Sequence, residues 1–353
     1  MRWLMAVVVA AVVARGGYAQ SEAPKVTIAR WPGDRMAAIS LTFDDAMKTQ
    51  LENVAPILKK HHLNATFFVV TGKDEWSQRK KEWQTLAVEG NEIANHTVNH
   101  PCLLKEITPH SQEYTPEKME AEVRDAAAEI TKTIGSQRGL TFAYPCGNMS
   151  FGTPGVQARN QALFTTYVAH YSFAGRGYGA PGVQDPDNMN VLTVTDLGMT
   201  MGKDFVELLE MAEPAVQGRN WGVFTFHGVG GEWLSVDTPA LEELAGYLEQ
   251  HSEIWTATFG DAVRYIQERQ AASVETEKSG ESSVDVRFSW PLDRKVYDLS
   301  LTLRVELPPS WKQVNAAVNG NAVATKPKTG AKGAVALIEV APGTETVHLT
   351  GTD

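Results

Sequence analysis

Strand-like and helical segments alternate from residue 36 to about residue 270, and this alternation restricts the fold more than any other feature. The strand-like segments are short apolar runs at 36–43, 65–70, 92–94, 140–144, 191–194, 221–226 and 254–258. The helical segments space their apolar residues three or four positions apart, at 48–62, 76–88, 115–134, 156–165, 204–216, 238–250 and 260–270. This order of segments predicts a parallel α/β sheet or barrel.

Polar residue types suited to catalysis or metal binding follow four of the predicted strands. They are Asp44-Asp45, His96, Pro145-Cys146-Gly147 and His227. In parallel α/β folds, functional residues gather at the carboxyl ends of the strands. We therefore expect these four segments to meet at one site.

The adjacent pair Asp44-Asp45 is the most unusual of these features. Neighbouring side chains on a strand point to opposite faces, so both carboxylates cannot enter the core. Two like charges also repel unless a cation lies between them. A bound metal ion explains the pair, and a solvated turn at the strand end is the alternative. His96 and His100 supply two imidazoles that, with one Asp, form a three-ligand set that leaves room for water, as in catalytic zinc sites.

The overall charge of the chain narrows the range of partners. The formal net charge is -10 and the sequence pI is about 5.5. Nucleic acids and anionic membranes attract basic surfaces, so neither is an expected partner. Neutral substrates such as sugars are compatible with this charge.

The first 19 residues are typical of a secretory signal peptide. Arg2 is followed by an apolar stretch at 4–13 and by the small-residue cleavage pattern Gly17-Tyr18-Ala19. The stretch is too short to span a membrane. We expect a periplasmic or extracellular protein with no membrane span in the mature chain; a retained anchor is the alternative.

The C-terminal part of the chain has a different pattern. Residues 271–283 are polar and are interpreted as a linker. Apolar residues then alternate with polar ones from 299 to 307, Asn319-Gly320 is typical of a hairpin turn, and further strands are predicted at 335–340 and 346–349. Residues 284–353 are therefore predicted to form a small β-sandwich. Its expected role is packing or spacing; carbohydrate binding through Trp290 and Trp311 is the alternative.

Three motifs, taken together, resemble those of the polysaccharide deacetylases, carbohydrate esterase family four. They are Thr42-Phe43-Asp44-Asp45, His96-Thr97-Val98-Asn99-His100 and Phe226-His227. The resemblance covers about residues 39–266 and implies a distorted (β/α) barrel, with residues 20–270 as the catalytic domain. It also implies a hydrolase that removes N- or O-linked acetyl groups from a glycan and uses one divalent metal ion.

Each motif residue takes a role from this resemblance. Asp45, His96 and His100 would bind the metal, Asp44 would be the general base and His227 the general acid. A metal-bound water would attack the acetyl carbonyl, the backbone N–H of Cys146 would bind the oxyanion, and Tyr144 and Pro145 would contact substrate. Zinc suits this ligand set best, and cobalt, nickel or manganese would also fit.

The sequence departs from the family pattern at the third motif. Ala143 stands where the family usually has an arginine that orients the base, and Cys146 replaces the usual aromatic residue. We hypothesise that Arg176 pairs with Asp44 instead; the alternative is a solvated loop arginine. We also predict a disulfide between Cys102 and Cys146, with two small core residues as the alternative.

Trp233 follows the glycine-rich turn after His227 and has two interpretations. It would either line a sugar subsite or pack beneath a lid. Two alternatives to the deacetylase interpretation also stay open: a hydrolase of small or cyclic amides on the same barrel, and a non-catalytic glycan-binding protein. The sequence predicts no oligomeric state.

Overall fold

A computed structural model describes residues 23–104, 107, 109–135, 137–177, 179–330 and 333–352. The predicted signal peptide, residues 1–19, lies outside these described residues. Within them, no helix combines the length and the apolar character needed to cross a bilayer.

The described residues begin with β1 (Lys25–Ile28), and seven parallel strands then form the sheet of the barrel. They are β2 (Ala37–Asp44), β3 (Thr66–Val69), β4 (Glu92–Asn95), β5 (Thr141–Ala143), β6 (Ala174–Arg176), β7 (Trp221–Phe226) and β8 (Ile254–Thr256). The spatial order is β6-β5-β4-β3-β2-β7, and β8 also pairs with β2. The predicted distorted (β/α) barrel is confirmed.

Eight α-helices accompany these strands in the described residues. They are α1 (Ala55–Lys60), α2 (Asp74–Gln78), α3 (Lys80–Val88), α4 (Pro116–Ile134), α5 (Gln157–Tyr171), α6 (Phe205–Gly218), α7 (Thr238–Gln250) and α8 (Phe259–Ala271). A π-helical turn, Gln50–Val54, precedes α1. In α4, the Thr115 side chain accepts a hydrogen bond from the Lys118 N–H and so caps the helix, while Gly135 ends it at a φ of 92°.

The alternating side chains of β2 separate the two sides of the sheet. Ile39, Leu41 and Phe43 face the outer helices, and the Phe43 ring stacks between two aromatic rings of β3 and β7. Thr42 and Asp44 have the opposite parity and therefore face the barrel interior. This parity directs the Asp44 carboxylate into the lumen at the carboxyl end of the strand.

Helix α8 closes the amino end of the barrel. The N–H of Gly260 donates to the buried carboxylate of Glu92 at 2.8 Å, and the N–H of Phe259 donates to the Thr66 hydroxyl at 2.7 Å. Glu92 and Thr66 are the first residues of β4 and β3. The opposite, carboxyl end of the strands is therefore the end that holds a site.

Two antiparallel sheets form the predicted β-sandwich. Its strands are β9 (Ser273–Lys278), β10 (Ser283–Ser289), β11 (Leu301–Glu306), β12 (Gln313–Val318), β13 (Asn321–Val323), β14 (Lys326–Gly330), β15 (Gly333–Val340) and β16 (Thr346–Thr352). One sheet has the order β1-β11-β15-β14 and the other β13-β12-β16-β10-β9. Trp311 is buried and half-buried Trp290 donates its indole N–H to the Thr344 carbonyl, as expected for packing residues.

The structure corrects three boundaries. Residues 273–278, interpreted as part of a linker, form β9, which pairs with β10 and exposes its polar side chains at a sheet edge. β1, placed in the predicted catalytic segment, belongs to the sandwich and pairs with β11. Residues 191–193 form a turn and a bend rather than a strand, and Val194 makes only an isolated bridge to Arg176. The strand in that region is the Ala-Gly-Arg segment β6.

Candidate active site

The chain turns sharply where β2 ends, and this turn allows both aspartates to face one cavity. Asp44 is the last residue of the strand, and Asp45 and Ala46 then adopt left-handed φ angles of 78° and 54°. His100 and Cys146 also have positive φ, at 56° and 54°. Such conformations are energetically unfavourable for non-glycine residues, and they cluster at functional sites. The strained turns here lie at three separate strand ends.

Among the described residues, Asp45, His96 and His100 form a group whose ligand atoms are close enough to hold one metal ion. The Asp45 Oδ1 atom lies 3.8 Å from His96 Nε2 and 3.6 Å from His100 Nε2, and one ligand atom from each residue lies within 4.8 Å of the others. This Oδ1 atom is buried and has no hydrogen-bond partner among the described residues. The Lys73 ammonium lies 3.7 Å away, beyond hydrogen-bonding distance. A buried carboxylate oxygen without a donor fits a bound cation.

The two imidazoles have the protonation state that a metal ligand needs. The His96 Nδ1 atom lies 2.8 Å from the Ala143 carbonyl, to which its proton is assigned, so the Nε2 lone pair faces Asp45. Burial lowers the pKa of His96 below its ordinary value. Burial and the neighbouring His96 lower the pKa of His100 to about 4. Both rings are therefore neutral near pH 7.

A buried carboxylate from α4 holds the loop between the two histidines. Glu122 Oε2 accepts hydrogen bonds from the N–H groups of Val98 at 3.0 Å and Asn99 at 2.8 Å, while Oε1 accepts from the Asn99 amide and the Tyr114 hydroxyl. Sequence reasoning missed Glu122. The available signal was a Glu on the apolar face of α4, three residues after buried Met119.

Arg176 contacts Asp44, as hypothesised from the missing arginine at Ala143. Its Nη2 atom donates to the two Asp44 oxygens at 2.5 and 2.6 Å, and the two side chains are only 3% and 7% exposed. β6 places Arg176 directly beside Ala143 of β5. In the family pattern the arginine would stand at Ala143 on β5. Here the guanidinium reaches Asp44 from the neighbouring strand, β6.

The charges around Asp44 keep its carboxyl ionised. Burial acts to raise the pKa of Asp44, but the charge and hydrogen bond of Arg176, together with neighbouring His96 and His227, outweigh it, and the pKa lies below its ordinary value. Arg176 Nη1 also donates to Thr225 Oγ1 and lies 3.4 Å from Asp196, which in turn accepts from Thr225 at 2.7 Å. Sequence reasoning also missed Asp196.

His227 follows β7, the strand that pairs with β2, and is half-buried in the same cavity. Gln50 connects the two strand ends, because its side-chain amide donates to the carbonyls of Asp44 at 2.5 Å and of His227 at 3.2 Å. The structure therefore brings the predicted base and acid to neighbouring strand ends.

These residues surround one cavity of about 570 Å³. Of the predicted site residues, only Pro145 is not in its lining; it is buried in the turn beside Cys146. The rim is largely apolar and includes Leu104, Met199 and Trp233. Trp233 is 60% exposed, which does not fit a side chain packed beneath a lid.

The predicted disulfide between Cys102 and Cys146 is present. Cys102 is buried, whereas Cys146 is exposed toward the cavity. Cys146 is the second residue of the short 3-10 turn Pro145–Gly147, so its N–H has no partner within that turn.

Residues 33–164 match the family model named polysaccharide deacetylase. This segment of the chain is therefore similar to the polysaccharide deacetylase family. The matched segment includes the predicted metal ligands and Asp44. The resemblance predicted from the sequence is therefore confirmed over this segment, and the family is one of hydrolases.

Curated relatives are similar over parts of their length. A gellan lyase from Bacillus sp. is 24% identical over 330 residues, which is 84% of this chain but 12% of the relative. The peptidoglycan-N-acetylmuramic acid deacetylase PdaA of Bacillus subtilis is 28% identical over 183 residues, 42% of this chain and 65% of the relative. The chain thus spans between 12% and 65% of the curated relatives it matches.

Solved structures include an acetyl xylan esterase of family 4 from Clostridium thermocellum in complex with a cobalt ion. It has a TM-score of 0.41 and 19% identity, and the match covers 64% of this chain and 89% of that one. A family pseudoenzyme from Bacillus anthracis has a TM-score of 0.43 and 14% identity, with coverage of 64% and 65%.

Proposed function

We propose that this protein is an exported, metal-dependent deacetylase that removes N- or O-linked acetyl groups from a glycan. One observation carries the proposal. The unsatisfied Asp45 oxygen and two neutral imidazoles lie beside Asp44, an ionised carboxylate that Arg176 holds in the same cavity. A carboxylate held free of the metal ligands is the group that a hydrolytic mechanism needs as its base.

Asp45, His96 and His100 would hold one divalent cation. We favour Zn²⁺, because two imidazoles and one carboxylate suit it, with Co²⁺, Ni²⁺ and Mn²⁺ as alternatives. When bound, the ion would supply Lewis acidity toward a water molecule and the acetyl oxygen.

The residues of the chain would perform the remaining steps. Asp44 accepts the proton of the attacking water, and Arg176 keeps this carboxylate ionised and correctly oriented. The free N–H of Cys146 donates a hydrogen bond to the oxygen that becomes negative during attack. His227, at the end of the neighbouring strand, donates a proton to the departing nitrogen or oxygen of the sugar.

The apolar rim supports a sugar as the substrate. Trp233 presents an exposed ring beside the cavity, and such rings stack on the apolar faces of pyranoses. The disulfide supports export, since disulfides persist in oxidising compartments. This agrees with the signal peptide predicted at 1–19.

Acetate release from a panel of N-acetylated and O-acetylated glycans tests the proposal. We expect release from at least one glycan, its loss after treatment with a chelator, and its recovery on adding Zn²⁺. The Asp44→Asn variant serves as the inactive control. Chelator-resistant release would overturn the metal dependence. Glycan binding without release would favour the non-catalytic alternative.

A further inference from the structure

The disulfide joins two loops that carry different parts of the site. Cys102 lies two residues after the metal ligand His100, and Cys146 contributes the N–H proposed to bind the acetyl oxygen. Their Cα atoms are 6.0 Å apart, and they are the only cysteines of the sequence. The bond therefore links the loop that carries a metal ligand to the turn that carries a hydrogen-bond donor.

The backbone hydrogen bonds beside the disulfide stay within each of the two loops. The backbone of Cys102 pairs with Pro109 and Ser111, at 3.1 and 2.8 Å, which closes its loop on itself. The Gly147 N–H donates to Tyr144 within its own turn. Among the described residues, no hydrogen bond connects 100–104 with 144–148. The disulfide is thus the direct link between these segments.

Cys146, and His100 two residues before Cys102, are held in unfavourable backbone conformations. The φ angles of His100 and Cys146 are 56° and 54°. Left-handed φ is unfavourable for a non-glycine residue, and it persists only where the surroundings enforce it. A contact that enforces these conformations keeps both functional groups in place. Without it, both segments lose one of the contacts that oppose relaxation toward ordinary φ values, although Glu122 still holds Val98 and Asn99.

We infer that the Cys102–Cys146 disulfide is a positioning element of the site. It fixes the Cys146 amide relative to His100, and so relative to the cation that His100 would bind. The inference rests on the proposed function. A displacement of about 1 Å in a reacting or stabilising group costs on the order of 100-fold in rate, and loss of one oxyanion donor costs a similar factor.

The test compares the wild type with Cys102→Ser/Cys146→Ser. We expect kcat to fall about 10- to 100-fold, with KM changed far less, because the N–H acts on the transition state. We also expect the Zn²⁺ dissociation constant to rise about tenfold as the His100 loop loosens. Competition with a chromogenic chelator measures Zn²⁺ affinity without requiring activity.

A matched control and a second measurement keep the test decisive. Ser111→Ala removes only a 3.4 Å hydrogen bond to the Ser150 carbonyl and leaves the backbone hydrogen bond between Ser111 and Cys102 in place, so its Zn²⁺ affinity should match the wild type. If the double variant does not fold, wild-type protein reduced by a phosphine under nitrogen provides the two free thiols instead. The phosphine becomes its oxide with oxygen from water, whose two protons complete the thiols.

Two results would overturn the inference. One is unchanged kcat and Zn²⁺ affinity after loss of the disulfide. The other is a lower melting temperature alone, which would make the bond merely stabilising. If the wild type releases acetate from no glycan, the proposed function fails, and the Zn²⁺ measurement still decides whether the disulfide positions His100.

Discussion

Replacing Arg176 by Lys keeps the positive charge beside Asp44 but removes the geometry of the guanidinium. In the wild type, one Nη atom reaches the two carboxylate oxygens at 2.5 and 2.6 Å, while the other contacts Thr225 and lies 3.4 Å from Asp196. A lysine ammonium is a compact point charge on a flexible chain and cannot span these partners. The variant therefore loses charged hydrogen bonds that orient the proposed base.

The expected magnitude follows from the burial of the pair. The two side chains are 3% and 7% exposed, so solvent screens the interaction little. A hydrogen bond to a charged group contributes about 1.5–3 kcal/mol. Since about 1.4 kcal/mol changes a rate tenfold, Arg176→Lys should lower kcat by about 10- to 100-fold. Zn²⁺ affinity should stay nearly unchanged, because Asp45 rather than Asp44 would bind the ion.

The assay combines three measurements: acetate-release kinetics for kcat, Zn²⁺ titration for metal affinity and urea unfolding for stability. Arg138→Lys is the matched control, because Arg138 also contacts two carboxylates at 2.8 Å but is 40% exposed at the other end of the barrel. Exposed pairs contribute about 1 kcal/mol or less, so its kcat should equal that of the wild type. An Arg176→Lys variant that keeps more than half of the wild-type kcat would refute the positioning role of Arg176.

Three further predictions concern other residues. Glu122→Gln replaces a carboxylate oxygen that accepts two loop N–H groups, so the Zn²⁺ dissociation constant should rise about tenfold in a chelator competition. Burial raises the pKa of Glu268 from its ordinary 4.5 to about 7, so the folded state holds the proton more tightly than the unfolded state. The free energy of unfolding should therefore fall by about 3 kcal/mol as pH rises from about 4.5 to beyond 7, and Glu268→Gln should remove this loss in urea titrations. Trp233→Ala should raise KM about fivefold, equivalent to about 1 kcal/mol of ring stacking, and leave kcat and stability nearly unchanged.

Each of these predictions has a clear contradictory outcome. Unchanged Zn²⁺ affinity in Glu122→Gln would mean that the loop holds its shape without that carboxylate. A stability difference between wild type and Glu268→Gln that is the same at pH 5 and pH 8 would contradict the raised pKa. A large loss of stability in Trp233→Ala, with KM unchanged, would return that side chain to a packing role.

Local sequence patterns predicted the strands and helices whose formation depends mainly on their own residues. The strand β2 and the helix α4 carry their signals in apolar spacing and in the cap at Thr115. β6 has only Ala, Gly and Arg, and it is a strand because β5 pairs with it. β1 and β9 likewise depend on partners distant in sequence or on an edge position, which composition does not reveal.

The same distinction applies to the candidate site, where local sequence patterns predicted some residues and not others. Residues that end strands, such as Asp44 and His96, follow from the order of the elements. The pairing of Arg176 with Asp44 was inferred because Ala143 cannot supply a positive charge to Asp44. Arg176 and Asp44 are 132 residues apart in the sequence. Glu122 and Asp196 act through long-range hydrogen bonds. Such contacts are set by the packing of elements, and no spacing in the sequence encodes them.

The most direct test of the central claim is a Zn²⁺ titration of metal-free protein, with bound metal and acetate release measured in the same samples. The account predicts no release without metal, a rise in proportion to occupancy, and a plateau at one ion per chain. It also predicts that the Asp44→Asn variant binds one ion but releases no acetate. Release from metal-free protein, or undiminished release by Asp44→Asn, would contradict it.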